Sequence, residues 1–400
     1  MNRLLTKVLR WINHPFRSIK NACTKLKHVI LDGLYRIYYG KNIVLLESHH
    51  EFGGNSGALF RYMQNKPQYS DYTYVWFVKD YVDGTFKNTR RILVFSFKHS
   101  SYRQQYLIYH AKVAFFDDVP VKANGKGAKT IYLTHGVGPV LKNVKGLIVI
   151  PSYVDKALCT SENIVEIVSD QYSFPKEKFF ICGQPRNDVL FREKVDVSSV
   201  VDLNGYDKCI IWLPTFRKVR GSDRNDSFSS MPLGLPLIKN EYEYKQLQRV
   251  LEQSNSVLLI KLHPLQDDSQ VVAHSTQNIK IVSHDALVEN RIDTNMLYPY
   301  FDAMISDYST APFDYMLLNR PIGYIIDDID DYKLSIPIEE YNKRTPGTKI
   351  KCNQDLISFI ISISSGNDEF RTQREQFSSY IHHYHDGENC RRIAQMFLGE

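Results

Sequence analysis

After Gly40 the chain breaks into short apolar runs that alternate with segments in which apolar residues recur every three or four positions. Asn42–Glu47 (NIVLLE) reads as a buried strand, and a glycine-rich turn over Phe52–Gly57 leads into a helix over Ala58–Gln64. Tyr74–Val78, Arg91–Phe95, Lys112–Phe116, Thr130–Leu133 and Phe179–Cys182 are further strands, with a helix over Ser101–His110. A second series starts near Asp207. It has strands at Cys209–Leu213, Val257–Leu262, Lys280–Val282, Ala303–Ser306 and Ile322–Ile326, and a helix over Glu241–Gln253. The tail from Gln354 is helical, with a break at Asp386–Gly387 before Glu388–Leu398. Alternating strands and helices of these lengths predict an α/β fold: parallel sheets with helices on both faces.

Four hundred residues are too many for one ordinary core and suit two domains of roughly 150–200 residues. The seam falls in Arg192–Tyr206, which is polar and without periodic signal. Rossmann-like domains are therefore expected over residues 41–192 and 207–400, facing each other across a cleft, after a leader of residues 1–40. The C-terminal helices are expected to pack back on the first domain. Lys218–Pro236 is a long loop rich in Gly, Ser, Asp and Pro, the kind that is usually functional or mobile.

Apolar content of 43% with 24% charged residues is globular, not disordered. No apolar run reaches the roughly 18 residues of a transmembrane helix, and the start lacks the apolar core and small-residue cleavage site of a secretion signal. The six cysteines (Cys23, Cys159, Cys182, Cys209, Cys352, Cys390) are scattered with no C-x-x-C pair. This argues against structural zinc or a disulfide framework and for a reducing cytoplasm.

Net charge is +6, and the surplus lies in the leader: residues 1–40 hold eight Lys/Arg against Asp32 alone, leaving 42 basic and 43 acidic residues elsewhere. Within it Leu4, Leu5, Val8, Leu9 and Ile12 fall at helical spacing, Pro15 interrupts, and Ile19, Cys23, Leu26, Val29 and Ile30 resume. A basic amphipathic segment of this kind can lie on an anionic bilayer, with Trp11 and Phe16 near headgroup level, or can dock on the rest of the protein. The body has no basic stripe, so nucleic acid is not an expected partner.

The chemistry-bearing residues fall where strands end. Ile305–Pro321 (ISDYSTAPFDYMLLNRP) closes a strand in a Ser-Asp-Tyr-Ser-Thr turn and opens a helix through Phe313, Met316, Leu317 and Leu318. Ser309 or Thr310 suits the N-cap. Hydroxyls at a helix start also suit a phosphate, because open N–H groups and the helix dipole favour an anion. Asp314, one turn on, would repel phosphate and is expected to accept from sugar or polyol hydroxyls. Four more strand ends follow the same pattern: THGVGPVLK (Thr134–Lys142), GQPRND (Gly183–Asp188), LPTFR (Leu213–Arg217) and KLHP (Lys261–Pro264). A lone histidine after a strand is more often structural than catalytic. Here, however, His135, His263, Arg186, Arg217 and Lys261 share strand C-terminal ends, where open parallel sheets bind ligands. Arg and Lys are seldom buried unpartnered, and a diphosphate is the partner this group suits.

Taken in order, HG-x(3–4)-LK, G-x-PRND, PTFR, KLHP and SDYS-x4-D-x5-RP resemble the CDP-glycerol glycerophosphotransferases of teichoic acid and capsule synthesis. LLESHHEFGGNSGALFRYM and HHYHDGENCRRIAQMF extend the resemblance over residues 42–398. It implies a GT-B-like fold, with an acceptor-side N-terminal domain and a CDP-donor C-terminal domain. It also implies a peripheral location on the inner face of the cell membrane. The implied reaction moves glycerol phosphate from CDP-glycerol, or the phosphopolyol of a related CDP-polyol, to an undecaprenyl-diphosphate-linked saccharide or polyol-phosphate chain, releasing CMP.

Carried over by residue, the resemblance implies catalytic roles for His135 and His263. It implies donor contacts by Gly136, Leu141, Arg186, Pro214, Thr215, Arg217, Lys261, Leu262, Ser309, Thr310 and Asp314. No cofactor and no metal-ligand cluster are expected, and Lys and Arg could neutralise a diphosphate with or without a divalent cation. The family pattern His-Gly-Thr-Pro-Leu-Lys is altered here. Thr134 precedes the histidine and Gly136-Val137-Gly138-Pro139-Val140 lengthens the segment before Leu141, which bears on the choice of donor or acceptor. Two other functions fit the same residues: a nucleotide-sugar glycosyltransferase making an exopolysaccharide, and a catalytically silent nucleotide- or lipid-binding scaffold.

Overall fold

The computed structural model describes residues 26–48, 52–79, 88–98, 100–137, 149–192, 194–215, 231–263, 275–330 and 338–399. Two parallel sheets form two α/β domains. Strands β1 (Ile43–Glu47), β2 (Thr73–Val78), β3 (Ile92–Ser96), β4 (Val113–Phe116), β5 (Lys129–Tyr132), β6 (Lys156–Cys159) and β7 (Phe179–Ile181) build the first. Their order is β3-β2-β1-β4-β5-β6-β7. Strands β8 (Lys208–Leu213), β9 (Ser256–Lys261), β10 (Ile279–Val282), β11 (Ala303–Ser306), β12 (Ile322–Ile325) and β13 (Thr348–Ile350) build the second, in the order β10-β9-β8-β11-β12-β13. Every residue of β1, β2, β4 and β9 is buried, which is why these strands read as continuous apolar runs and not as alternating ones.

Helices cover both faces. In the first half they are α1 (26–39), α2 (Gly54–Gln64), α3 (Tyr102–His110) and α4 (Val165–Tyr172). In the second half they are α5 (Glu241–Gln253), α6 (His284–Glu289), α7 (Thr294–Leu297), α8 (Ala311–Tyr315), α9 (Ile338–Arg344), α10 (Asn353–Ser364), α11 (Arg371–Ile381) and α12 (Asn389–Leu398). Helices α1 and α3 cover one face of the first sheet through Tyr39, Tyr106 and Leu107, and α2 covers the other through Leu59, Phe60 and Met63. Helix α12 joins α2: Ile393, Ala394 and Leu398 pack with Leu46, Trp76 and Phe115 of the first sheet. Asp188 anchors the start of α12 there, accepting from the N–H groups of Asn389 (2.9 Å) and Cys390 (2.8 Å). A further apolar cluster runs from Phe116 and Tyr132 of the first sheet to Ile211 and Met304 of the second. Among the described residues no helix is long and apolar enough to cross a membrane.

The strand order of each sheet reverses once, between β1 and β4 and between β8 and β11. Crevices at such switch points open at the carboxyl ends of the strands. Glu47 and Asp117 flank the first, and Leu213 and Asp307 flank the second.

The structure departs from the sequence pattern at α2, which begins at Gly54 and not at Ala58. Most of the expected turn is the first turn of the helix. Its open donors find a carboxylate that is distant in sequence: Asp117 accepts from Asn55 N (2.8 Å), Ser56 N (3.1 Å) and Ser56 Oγ (2.8 Å). Gly54 (φ +63°) is required by this cap, because a Cβ there would lie 2.5 Å from Asp117 Oδ2. Helix α1 also runs on to Tyr39, past the periodic run that ended at Ile30. Residues 1–25 of the leader lie outside the described residues.

Candidate active site

The loop after β5 is held in an unusual backbone shape by three side chains from two other segments. Thr134 adopts φ +60° and Gly136 φ +123°. Asn55, in the first turn of α2, donates from Nδ2 to the carbonyls of Leu133 (3.1 Å) and Thr134 (2.9 Å), and Gln184 Nε2 donates to Thr134 Oγ1 (3.1 Å). Arg186 Nη2 donates to the carbonyl of His135 (2.8 Å). A Cβ on Gly136 would lie 2.7 Å from Arg186 Nη2, so glycine is needed for that approach. His135 itself points Nε2 to within 3.4 Å of Asp118 Oδ1.

The second sheet supplies the facing wall. Lys261 is the last residue of β9 and His263 lies two residues on. Thr215, beyond β8, donates from its N–H (3.0 Å) and its hydroxyl to the fully buried carboxylate of Asp307, beyond β11. This bond spans the second switch point. Ser309 Oγ accepts from Ala311 N (3.2 Å), whereas Thr310, at the N-cap position of α8, makes no side-chain capping bond. Helix α8 is five residues long and passes into a 3₁₀ turn over Met316–Leu318.

Asp314 is engaged by protein groups. Arg186 reaches its Oδ2 through Nε (3.0 Å) and Nη2 (2.7 Å), Asn187 Nδ2 donates to Oδ1 (2.8 Å), and Asn295 Nδ2 donates to Oδ2 (3.2 Å). Burial works against the Arg186 charge, but the Asp314 carboxylate, together with Tyr298 and Asp117, holds the guanidinium pKa above its ordinary value. The walls meet a second time where Arg61 of α2 pairs with Asp293 (2.6 Å).

Between them lies a cavity of about 940 Å³. It is lined by His135, Arg186, Pro214, Thr215, Lys261, His263, Ser309, Thr310 and Asp314, so nine of the residues singled out from sequence share one space. Gly136 lies just behind this wall, 3.6 Å from Thr310 Oγ1 when given a Cβ. Leu262 is placed elsewhere, buried in the core beneath the second sheet. Leu141 and Arg217 lie outside the described residues. Lys261 is 6% exposed and has no hydrogen-bond or ion-pair partner among the described residues. Burial alone pushes its pKa down to about 8.

Residues that the motifs did not single out hold the site together: Asn55, Asp117, Asp118, Gln184, Asn187, Asn295 and Asp307. Asn55, Gln184, Asn187 and Asp307 lie inside quoted segments, whereas Asp117, Asp118 and Asn295 carry no local signal.

A family model for CDP-Glycerol:Poly(glycerophosphate) glycerophosphotransferase matches residues 34–399. The chain belongs to this family. Among curated proteins it is 25% identical to the teichoic acid glycerol-phosphate transferase of Staphylococcus aureus, over 94% of this chain and 99% of that one. It is 22% identical to the teichoic acid poly(glycerol phosphate) polymerase of Bacillus spizizenii, over 90% and 92%. The match to the teichoic acid glycerol-phosphate primase of the same organism is 26% identical and takes in 60% of this chain, spanning only 57% of the relative. Among solved structures the wall teichoic acid polymerase TagF superposes with a TM-score of 0.68 at 20% identity, covering 98% of this glycerophosphotransferase-family chain and 97% of that one. The likeness establishes a shared fold.

Proposed function

We propose that this chain transfers glycerol phosphate from CDP-glycerol to a hydroxyl of a lipid-linked saccharide or growing polyol-phosphate chain in teichoic acid synthesis, releasing CMP. The single observation that carries the reading is Lys261, a buried ammonium without a partner among the described residues, in a cavity shared with His135, His263, Thr215 and Ser309. A buried cation in such a place is stabilised by an anion that arrives with the substrate. The near end-to-end match to the S. aureus glycerol-phosphate transferase supports glycerol phosphate as the group moved. The two facing parallel sheets support a GT-B-like arrangement, with the donor on the second domain (207–400) and the acceptor on the first (41–192).

The acceptor oxygen attacks the β-phosphorus of CDP-glycerol, the phosphorus that carries glycerol. As that P–O bond forms, the hydroxyl proton passes to His135. The bond from phosphorus to the bridging oxygen breaks, and its electron pair leaves with CMP. Lys261 and His263 stabilise charge on the phosphoryl oxygens and the leaving CMP. Thr215 is held by Asp307 and Ser309 by its turn, so both are oriented before the donor arrives. Arg186 and Asp314 act by fixing the His135 loop.

The first helix supplies the surface on which this happens. On α1, Leu26, Val29, Ile30, Leu34 and Ile37 are exposed while His28, Asp32, Tyr35 and Tyr39 turn toward the body. That apolar face lies on an anionic membrane where the lipid-linked acceptor resides.

The deciding experiment is His135→Ala and His263→Ala, scored by CMP release from CDP-glycerol with a purified lipid-linked acceptor. Each is expected to lose on the order of 10²-fold or more in kcat. Activity within a few-fold of wild type in both ends this reading, and release of UDP or GDP from nucleotide sugars instead of CMP replaces it with a glycosyltransferase.

A further inference from the structure

We infer that Asp118 is a positioning residue for His135, completing a line of charged side chains, Lys79–Asp118–His135, built across the ends of four neighbouring strands. The inference rests on the assignment of His135 as the base. In the order β2-β1-β4-β5, Lys79 follows β2 directly, Glu47 ends β1, Asp118 lies two residues past β4 and His135 three past β5. The register pairs Phe116 with Tyr132, so the residues just beyond these strands emerge side by side.

The two consecutive carboxylates divide the work. Asp117 is buried and bound to the start of α2. Asp118 is 29% exposed at its side chain and turns toward the His135 ring, with Oδ1 3.4 Å from His135 Nε2 and Oδ2 paired with Lys79. Its backbone is pinned as well: Glu47 Oε2 accepts from the N–H groups of Asp118 (2.9 Å) and Asp117 (3.2 Å).

An ion pair as exposed as this contributes little to stability. Its effect is on the imidazole. A carboxylate 3.4 Å from Nε2 favours the tautomer protonated there, which leaves the lone pair of the neutral ring on Nδ1, the nitrogen that then takes the hydroxyl proton. The imidazolium formed in the transition state finds a carboxylate beside it. Among the described residues, the other charged groups around this pair are Lys79 beyond β2, Glu47 and Asp117 at the first switch point, and Arg186 on the His135 carbonyl. Lys261 and His263 line the opposite wall, and the Tyr132 ring packs edge-on at 6.4 Å. Burial raises the pKa of Glu47 and pushes that of Asp117 up to about 8, whereas Asp118 is partly exposed and paired with Lys79 beside the ring.

The test uses the full chain and two readouts: the pH profile of CMP release and the NMR titration of His135, assigned by loss of its signal in His135→Gln. Asp118→Asn should lower kcat by roughly 10-fold or more with the CDP-glycerol KM changed little. It should also move the His135 titration midpoint down by about half a unit. Asp118→Glu should restore part of both. Lys79→Met, which leaves the carboxylate in place and removes its competing cation, should move the midpoint up. Opposite signs from the two variants are not produced by a merely structural role. An unmoved midpoint in both Asp118→Asn and Lys79→Met overturns the pairing. A moved midpoint with undiminished kcat in Asp118→Asn and His135→Ala overturns instead the catalytic reading on which it rests.

Discussion

Arg186 and Asp314 meet across the cleft, with the guanidinium bonded to Oδ2 at 2.7 and 3.0 Å and also reaching the carbonyl of His135 at 2.8 Å. The contact removes a difficulty posed by the sequence, a carboxylate one turn beyond a phosphate-suited hydroxyl pair. Asp314 brings no uncompensated negative charge to that turn, because Arg186 neutralises it and Asn187 and Asn295 occupy its remaining acceptor positions.

Breaking this pair should destabilise the fold and disorder the His135 loop together. The side chains are 18% and 2% exposed, so Asp314→Ala strands a buried guanidinium. Loss of one partner of a buried pair typically costs roughly 3–5 kcal/mol. Urea denaturation of Asp314→Ala should show a loss of that order. The double variant Arg186→Met/Asp314→Leu should recover most of the stability and none of the activity. A loss below about 1 kcal/mol in the single variant would mean that the pair does not hold the walls together.

Lys261 should trade stability for donor binding. Burial lowers its pKa from 10.5 to about 8, so the folded state disfavours the ammonium that the unfolded chain retains. That penalty is present in full below pH 8, is relieved as pH rises from about 8 to 10.5, and amounts to on the order of 3 kcal/mol. Lys261→Met should therefore melt higher than wild type at pH 7 without ligand and bind CDP-glycerol far more weakly. Donor affinity of the wild type, measured by calorimetry, should fall as pH rises through 8. Affinity that is flat from pH 7 to 9 would remove Lys261 from the donor site.

The strands and the residues at their ends were legible because buried parallel strands write themselves as unbroken apolar runs. Helix Glu241–Gln253 and strand Ala303–Ser306 fall where the pattern put them. Strands β6 and β13 were not legible because TKI holds a single apolar residue and KALC runs at once into the polar Thr160-Ser161-Glu162. The start of α2 was hidden for a different reason: its cap, Asp117, is 61 residues away from Ser56. The same holds within the site. Lys261 and His263 announce themselves as basic residues at a strand end, but the residues that hold their surroundings rigid do so through tertiary contacts. Asn295 touches Asp314 and Asn187 from a helix with no motif at all. Thr310 shows the converse: the residue type suits a cap, yet the tight turn leaves Ser309 to accept the bond.

His382 should set an acid limit on stability. It is buried at the C-terminal end of α11 and donates from Nε2 to the carbonyl of Phe313 (2.9 Å) in α8. Burial pushes its pKa down to about 4, against the upward pull of that hydrogen bond. The unfolded chain takes up the proton near pH 6.5 and the native one only near 4, so stability falls as pH drops through that window, by on the order of 3 kcal/mol. His382→Gln can keep a donor to Phe313 but cannot titrate. Urea midpoints from pH 4 to 7 should fall less steeply for it than for wild type, and parallel curves would exclude His382 as the group responsible.

Helix α1 should bind membrane without contributing that face to the fold. Tyr102 donates to Asp32 Oδ1 (2.7 Å) and stacks on His28 at 4.1 Å, while Tyr35 meets Tyr106 edge-on, so one side of the helix is committed to the body. On the other side Val29 and Ile37 are 67% and 78% exposed. Burying an aliphatic side chain is worth about 1.5–3 kcal/mol, so losing two should weaken vesicle binding by well over 10-fold. Ile30→Asp/Ile37→Asp in the full chain should therefore release the protein from sedimenting vesicles that contain anionic lipid. Its melting temperature should stay within about a degree of wild type, because exposed positions contribute little to the fold. CMP release from a soluble acceptor analogue should be unchanged, while release with acceptor embedded in vesicles falls. Unaltered sedimentation would show that this face does not touch lipid, and a lowered melting temperature would show that it is covered within the protein.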